Sequence, residues 1–214
     1  MRIIEPSAEI ITHNSISGID ICKHIEKCGR VCYKSEGKIT NDSYISFIQK
    51  IIERGHEAVL EHYSITIKFV CDRGVSHEIV RHRLASYCQE STRYCNYNKE
   101  DFGCEIAVIK PCYLVEGTKG YSDWKESCEK AENSYFDMLD FGCKPQEARA
   151  VLPNSLKTEV MMTANLREWR HFFKLRCSKA AHPQMREVAF KALFEMQKYI
   201  PIIFDDVVNE VTPF

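Results

Sequence analysis

The sequence predicts an α+β fold: a single mixed α/β domain, residues 1–214, with a central, largely antiparallel sheet flanked by helices. Segments with apolar residues at helical spacing are interspersed with short segments in which apolar and polar residues alternate. Such strands have one solvated face, which favours α+β over a doubly wound parallel sheet. The sequence has no GxGxxG motif, so a Rossmann cofactor site is not expected.

The first half of the chain contains elements of both kinds. Residues 42–54 carry apolar side chains at helical spacing, and Gly55 is suited to end this helix in a left-handed turn. Residues 65–69 alternate as a half-buried strand does. Asp72 is suited to cap a following helix, which we expect to run into residues 81–83.

The second half predicts further helices and strands. In order they are a strand at 105–109, a helix at 122–139, a helical turn that begins at Pro145, a strand at 157–164, a helix that ends at Arg176, and a final helix that begins at Pro183. Asn165, followed three residues later by Glu168, resembles a capping box for the helix that ends at Arg176. The preferred interpretation places Arg170 on the solvent-exposed face of that helix.

Composition and charge exclude several classes of protein. The formal net charge is −1, from 29 basic and 30 acidic residues, which argues against a general nucleic-acid coat protein. Eleven cysteines without a CxxC pair suit free thiols in a reducing cytosol better than a zinc site or a disulfide scaffold. The N-terminus has no apolar leader, and no stretch approaches the roughly 18 apolar residues of a membrane span. We therefore expect a soluble, cytoplasmic protein that contacts no membrane.

The segment from Arg81 to Tyr94, here called the arginine segment, holds three arginines and one histidine. Guanidinium groups keep their charge, so clustering them is costly unless an anion lies between them. A phosphate suits best, because the planar guanidinium binds two of its oxygens, and Ser91 and Thr92 could add hydroxyl donors. The alternative is a solvated basic face paired with Glu78 and Glu90, since surface ion pairs are common. Composition alone leaves both interpretations open.

A second basic group lies toward the C-terminus and contains Arg149, Arg167, Arg170 and Arg176. His56 and His62 enclose two glutamates in the stretch from residue 55 to 62. A metal site is the less favoured interpretation of this stretch, because HxxxxxH lacks the i, i+4 geometry of a metalloprotease helix.

Together these patterns resemble the flavin-dependent thymidylate synthase family. The family signature RHRxxSxxxxSxR is matched at six fixed positions, namely Arg81, His82, Arg83, Ser86, Ser91 and Arg93. Other segments between about residues 28 and 200 resemble family elements: Arg30-Val31-Cys32, the GHxxxxEH stretch from Gly55 to His62, the ARxxLP stretch from Arg149 to Pro153, and Asn165-Leu166-Arg167 with Leu175-Arg176.

The resemblance implies an enzyme that methylates dUMP to dTMP, with 5,10-methylenetetrahydrofolate as one-carbon donor and NADPH as reductant acting through FAD. The residues it implies at FAD are His56, Arg81, His82, Arg83, Gln89, Asn165, Arg167 and His171. Those it implies at dUMP are Glu78, Arg81, Gln89, Ser91, Arg93, Arg149 and Arg176. Arg176 is the implied catalytic residue, which polarises the pyrimidine at its N3 edge. The resemblance also implies a homotetramer with active sites shared between subunits, and no metal.

Three positions depart from the family pattern. Gln89 stands where many members carry Glu, Cys88 replaces a frequent Asn, and Ala58 lies where a small hydroxyl residue is common. Because the family uses reduced flavin, it implies no cysteine nucleophile. Two competing hypotheses remain: a nucleic-acid-binding module that uses Arg81 to Arg93 as a basic helix, and a metal-dependent hydrolase that uses His56, His62 and His82.

Overall fold

The computed structural model describes residues 1–11, 16–98 and 103–211. Its four-stranded sheet consists, in spatial order, of β2 (Ser7–Ile10), β3 (Ser64–Asp72), β6 (Lys157–Asn165) and β4 (Ala85–Gln89). This sheet is antiparallel and accompanied by helices, which confirms the predicted α+β class. Two shorter strands, β1 (Arg2–Ile4) and β5 (Ala107–Ile109), pair in parallel.

The helices account for most of the remaining chain. They are α1 (Gly18–Arg30), α2 (Ser43–Glu53), α3 (Arg73–Ile79), α4 (Lys119–Asp140), α5 (Pro145–Ala148), α6 (Leu166–Arg176), α7 (Pro183–Tyr199) and α8 (Pro201–Glu210). Short 3-10 helices cover Val31–Tyr33, Glu36–Lys38, Glu57–His62 and Arg149–Val151. Within the described ranges, no helix is both long enough and apolar enough to cross a membrane.

The chain divides into two compact units. The first contains Met1–Ser7, Phe69–Arg81 and Cys88–Val160, and the second contains Ala8–Lys68, His82–Tyr87 and Met161–Phe214. The core of the first unit gathers Tyr97, Ile106, Val108, Tyr135 and Leu156. In the second unit, aromatic side chains of α6 and α8 pack edge to face, as Phe173 and Phe204 do. The expectation of a single domain stays a prediction.

The predicted strands form where their sequences alternate. Along β3, Ile65, Ile67 and Phe69 are buried while the residues between them are half-buried. Along β6, Val160 and Met162 follow the same rule. One face of each strand is therefore covered and the other partly solvated, as an antiparallel sheet permits.

Local signals determine several helix ends. Gly55 has φ 68°, and the amides of Gly55 and His56 donate to the carbonyls of Ile52 and Ile51, so α2 ends in a Schellman motif as expected. The Asp72 carboxylate accepts from the amide of Val75 at 2.7 Å, which confirms the predicted cap of α3.

Other expectations were wrong in detail. The helix after Asp72 ends at Ile79 and does not reach residues 81–83. Pro183 does open a helix, but α8 follows it, so that helix is not the last. The sequence patterns also gave no indication of α1, which begins with a capping box between Ser17 and Asp20.

Arg170 contradicts the expectation of a solvent-exposed side chain. It is 1% exposed, and its guanidinium donates to Glu57 at 3.1 Å, to the Ile203 carbonyl and to Asp206 at 2.6 Å. Burial of an arginine is tolerated when every N–H finds an acceptor, and these partners come from the 3-10 helix Glu57–His62 and from α8. Arg170 therefore joins three segments of the second unit.

Candidate active site

The arginine segment does not form a helix. After α3 ends, residues 80–84 form a turn and a bend, residues 85–89 form strand β4, and a second turn follows from residue 92 to 94. The nucleic-acid hypothesis required a continuous basic helix from Arg81 to Arg93, and this structure contradicts it. Side chains alternate along β4, with Ser86 and Cys88 exposed and Tyr87 and Gln89 half-buried.

In the first unit, Gln89 is held by hydroxyl groups. Its amide nitrogen donates to Ser76 Oγ at 2.9 Å and to Thr158 Oγ1 at 3.3 Å. Both N–H groups are thereby directed at hydroxyl oxygens, which leaves the amide oxygen as the group that could accept from a ligand. A glutamate at this position could not donate to Ser76 Oγ, whose own proton is given to the Arg73 carbonyl at 2.8 Å, so the departure from the family pattern allows a hydrogen bond that the usual residue does not make.

Also in the first unit, the turn after β4 lies beside Arg149. Arg149 Nη1 donates to Thr92 Oγ1 at 3.3 Å, and Ser91 Oγ accepts from the amide of Arg93 at 3.3 Å. The predicted dUMP residues Ser91, Arg93 and Arg149 are therefore brought to one turn, with both guanidinium groups exposed. Glu78 and Arg81 lie at the other end of the same stretch, where the Arg81 amide donates to the Glu78 carbonyl at 3.3 Å.

Glu90 does not pair with the arginine segment as a solvated basic face would require. Its carboxylate accepts from Lys157 Nζ at 3.0 Å and from the hydroxyl of Tyr97 at 3.1 Å. Burial and the Glu90 charge raise the pKa of Tyr97, so this hydroxyl stays protonated and donates. Glu90 immediately precedes the turn that carries Ser91 and Arg93. Its ion pair with Lys157 and its hydrogen bond from Tyr97 therefore hold the start of that turn in place.

In the second unit, His82 connects a carboxylate to the predicted catalytic arginine. His82 Nδ1 lies 2.9 Å from Glu168 Oε1, and Arg176 Nε donates to His82 Nε2 at 3.0 Å. The ring is 5% exposed and packs against Phe172, with 4.8 Å between ring centroids. Helix α6 supplies Glu168, Phe172 and Arg176 on one side, because residues four apart lie on the same face.

The bonding pattern fixes the tautomer of His82. An arginine Nε only donates, so His82 Nε2 must accept and the ring proton must lie on Nδ1, from which it is donated to Glu168. Burial lowers the pKa of His82, Glu168 opposes this shift, and the charge of Arg176 adds to it. His82 is therefore neutral at physiological pH, and the three residues form a directed chain, here called the Glu168–His82–Arg176 relay.

Three of the predicted flavin residues line one cavity of the second unit. This active-site cavity, of about 500 Å³, is lined by Asn165, Arg167 and His171, and further by Glu57, Glu61, Leu84, Glu168, Arg170 and Lys174. Arg167 Nη1 donates to Glu61 Oε1 at 2.6 Å, which ties α6 to the GHxxxxEH stretch. Asn165 caps α6 by accepting from the amide of Glu168 at 2.9 Å.

The predicted capping box at Asn165 is only half correct. Asn165 acts as the cap, but the Glu168 side chain, which a capping box would turn back to the Asn165 amide, bonds His82 instead. Two further predicted flavin residues are exposed and lie outside the active-site cavity: Arg83, in the bend before β4, and His56, at the end of α2.

The metal hypothesis is not supported by the placement of its histidines. Among residues 1–11, 16–98 and 103–211, the one group of potential ligands within 4.8 Å is His82, Glu168 and His171, without His56 or His62. The His82 Nε2 lone pair already accepts from a guanidinium, whose positive charge opposes a cation at that position. The geometry thus suits an ordered arginine better than a metal.

The site contains residues that the sequence did not single out. Glu168 was predicted only as a capping residue, and Tyr87, whose hydroxyl donates to the His82 carbonyl at 2.7 Å, was not predicted at all. Burial raises the pKa of Tyr87 to about 12, so it remains a donor. The sequence did offer one signal for Tyr87. It lies two residues before the predicted site residue Gln89 on strand β4, and side chains two residues apart on a strand point to the same face.

Comparison with known proteins agrees with the resemblance seen in the sequence. A family model described as "Thymidylate synthase complementing protein" matches residues 18–202. The chain is 36% identical over 162 residues to a flavin-dependent thymidylate synthase of Pyrococcus abyssi, a match that covers 75% of this chain and 66% of that protein, just under two thirds of its length. A second relative of the same name, from Geobacter sulfurreducens, is 34% identical over 184 residues, covering 83% and 78%.

A solved structure shares the fold. The UMP/dUMP methylase PolB from Streptomyces cacaoi, bound with 5-Br dUMP, superposes with a TM-score of 0.79 at 23% sequence identity, and the match covers all of both chains. At this level of identity the similarity supports the architecture alone.

Proposed function

Because this chain belongs to the thymidylate synthase complementing protein family of flavin-dependent thymidylate synthases, we propose that it methylates dUMP to dTMP. The one-carbon unit comes from 5,10-methylenetetrahydrofolate, and reducing power comes from NADPH through FAD. The homotetramer and the cytoplasmic location stay predictions.

The observation that carries this proposal is the Glu168–His82–Arg176 relay. Uracil C5 is a modest nucleophile, and a cation at the N3–O4 edge stabilises negative charge that develops in the ring. Such stabilisation requires a donor held in place before the reaction. The hydrogen bond from Nε to His82, at 3.0 Å, restrains the plane of the Arg176 guanidinium, and we assign this guanidinium to a uracil carbonyl.

The active-site cavity offers FAD hydrogen-bond donors and an apolar contact, but no excess of positive charge. Its lining holds Arg167, Arg170 and Lys174 together with Glu57, Glu61 and Glu168, so the phosphates of FAD would have to compete with ion pairs such as Arg167–Glu61, at 2.6 Å. Leu84, which is 72% exposed, offers the apolar contact. When bound, FAD supplies the hydride chemistry, while the protein binds and orients. Asn165 and Arg167 are the residues we assign to hold it, and Arg81 and Arg83 are assigned to its phosphates.

For dUMP we assign the phosphate to the turn after β4. Arg149, Arg93 and the hydroxyl of Ser91 provide charged and neutral donors within one turn, the combination that phosphate oxygens require. Gln89 and Glu78 are assigned to the remainder of the nucleotide, and the Gln89 amide oxygen is the group that would accept from it.

The direct test is an incubation of the protein with dUMP, 5,10-methylenetetrahydrofolate, FAD and NADPH, scored for dTMP. We expect dTMP to form and Arg176→Ala to reduce turnover by about 100- to 1,000-fold, the usual cost of removing one oxyanion-stabilising donor. Arg2→Ala removes an arginine that is 61% exposed and outside the site, and it serves as the matched control.

Two results would contradict the proposal. The first is an absence of dTMP with protein that is folded and yellow from bound flavin. The second is equal turnover by wild type and Arg176→Ala. UMP is tested in parallel, because the structural neighbour PolB is named a UMP/dUMP methylase; a preference for UMP would reassign the substrate while keeping the reaction class.

A further inference from the structure

His82 is a buried residue in an exposed bend. Val80, Arg81, Arg83 and Leu84 around it are exposed, whereas His82 itself is 5% exposed. An exposed bend has few contacts of its own and is the kind of segment that moves most easily. The two hydrogen bonds of the His82 ring, at 2.9 and 3.0 Å, nevertheless require its main chain to stay in place, because such bonds are lost beyond about 3.5 Å.

A side chain holds the main chain of His82. The His82 carbonyl accepts from the hydroxyl of Tyr87 at 2.7 Å. Among the residues that the structure describes, no backbone amide donates to this carbonyl. A buried carbonyl without a partner costs free energy comparable to a lost hydrogen bond, so the phenol supplies a donor that the backbone of the bend does not.

Tyr87 itself belongs to the sheet. It lies in β4, the strand beside β6, and its side chain is half-buried. The backbone hydrogen bonds of a sheet hold a strand more firmly than a bend holds its residues. The hydroxyl of Tyr87 therefore ties His82 to β4, and it closes a loop that contains Arg83 and Leu84.

The surroundings of the phenol keep it a donor. Burial raises the pKa of Tyr87 to about 12, the charge of Glu168 adds to this rise, and the charge of Arg176 opposes it. The hydroxyl is therefore protonated at physiological pH, and it is close enough to both ends of the relay to be affected by their charges. Because its proton is donated to a carbonyl, the geometry indicates an orienting role for this hydroxyl rather than an acidic one.

We propose that Tyr87 is a positioning residue for the methylation reaction: its hydroxyl holds the main chain of His82 where both ring nitrogens find their partners. The inference rests on the proposed function, in which Arg176 stabilises charge on the uracil ring. A phenylalanine would fill the same space but would leave the His82 carbonyl without its donor. The bend would then shift to expose that carbonyl to water, and the ring would lose its fixed distance to Arg176.

Steady-state kinetics of dTMP formation test this role. We expect Tyr87→Phe to lower kcat by about three- to ten-fold, the equivalent of one neutral hydrogen bond, and to leave the KM for dUMP within about twofold of wild type. The KM should hold because the dUMP phosphate is assigned to the turn after β4, which keeps its own hydrogen bonds.

Tyr199→Phe is the matched control. Tyr199 is also a half-buried tyrosine of the second unit whose hydroxyl donates to a backbone carbonyl, that of Ile16. It is not among the lining residues of the active-site cavity, so its substitution should leave kcat unchanged. Equal kcat values for Tyr87→Phe and Tyr199→Phe would overturn the proposal.

A double-mutant cycle separates positioning from general stabilisation. In Glu168→Ala, His82 has already lost the acceptor that fixes its tautomer, so adding Tyr87→Phe should lower kcat by less than about twofold further. A residue that merely stabilised the fold would lower kcat by the same factor in both backgrounds. Such additivity would show that Tyr87 acts on something other than the relay, and it would also overturn the proposal.

Nuclear magnetic resonance reports the state of His82 without turnover. The full-length protein, labelled at its histidine nitrogens, is compared as wild type and as Tyr87→Phe, and the His82 signals are identified from their loss in His82→Gln. We expect wild type to show the tautomer with its proton on Nδ1. The variant should show signals averaged between the two tautomers, because a displaced ring loses its hydrogen bond from Arg176.

The two kinds of measurement distinguish failure of this inference from failure of the proposed function. Identical His82 signals in wild type and Tyr87→Phe would overturn the positioning role, whatever the turnover. Absence of dTMP formation by wild type would overturn the proposed function, while a change of the His82 signals in Tyr87→Phe would still establish that Tyr87 orders His82.

Discussion

Glu168→Ala is the substitution that best tests the Glu168–His82–Arg176 relay. It removes the acceptor of the His82 Nδ1 proton, which lies 2.9 Å away in a site where both partners are buried. Without that acceptor, the ring is no longer held in the tautomer that accepts from Arg176. When the proton moves to Nε2, two donors face each other and the arginine loses its orientation.

The magnitude follows from the bonds that are lost. A hydrogen bond to a charged group contributes about 1.5–3 kcal/mol, and an acidic residue in the first turn of a helix contributes about 0.3–1 kcal/mol. We therefore expect Glu168→Ala to lower the free energy of unfolding by about 2–4 kcal/mol. Arg176 remains but loses its fixed orientation, so kcat should fall by about 5- to 30-fold, less than in Arg176→Ala.

The assay combines urea unfolding with steady-state kinetics of dTMP formation. The control is Glu132→Ala: Glu132 is 8% exposed against 7% for Glu168, and its carboxylate accepts from the amide of Ile106 at 2.9 Å and pairs with the N-terminal ammonium at 3.0 Å, so its loss costs at least as much stability outside the relay. Glu168→Gln should recover kcat to within about fivefold of wild type, because an amide oxygen still accepts from Nδ1. The reasoning is refuted if Glu168→Ala lowers kcat no more than Glu132→Ala does.

Two further predictions concern stability. Replacing Arg170 with Met should lower the free energy of unfolding by about 3–5 kcal/mol, because Glu57 and Asp206 lose a buried partner; a loss below 1 kcal/mol in urea titration would show that the ion pairs add nothing. Burial lowers the folded-state pKa of His82 below its ordinary value of 6.5, so as the pH falls the unfolded chain takes up a proton at this histidine before the folded protein does. The free energy of unfolding should therefore decrease as the pH drops below about 6.5. His82 is faced by Glu168, His171 and Arg176, and His82→Gln should flatten this fall; an unchanged pH dependence would assign it to other groups.

The sequence predicted those parts of the fold that local chemistry determines. The stripe of α2, its Gly55 terminus, the Asp72 cap, the alternation within β3 and the strand β6 were all predicted from neighbouring residues, and all are present. The end of α3 was misplaced because nothing within the apolar pattern marks Ile79 as the last helical residue. Arg170 was misplaced because its partners, Glu57 and Asp206, are distant in sequence.

The candidate site shows the same division. The signature RHRxxSxxxxSxR identified Arg81, His82 and Arg93 as candidate site residues, but it did not predict which residue accepts a hydrogen bond from His82. That partner, Glu168, lies 86 residues away, and its own local context predicted a different bond, to the Asn165 amide. Local patterns therefore identify which residues carry chemistry, while the tertiary fold decides which of two satisfactory hydrogen bonds each residue makes.

This distinction changes the role expected of His82. As one member of a basic cluster, it would supply positive charge to an anion. In the fold it is neutral, 5% exposed and bonded at both nitrogens, so it contributes direction rather than charge. In the proposed function, the positive charge offered to a uracil ring is that of Arg176, whose position depends on the Glu168 carboxylate through two hydrogen bonds. A variant that keeps every arginine but alters Glu168 should then lose turnover, which a purely electrostatic account of the cluster does not predict.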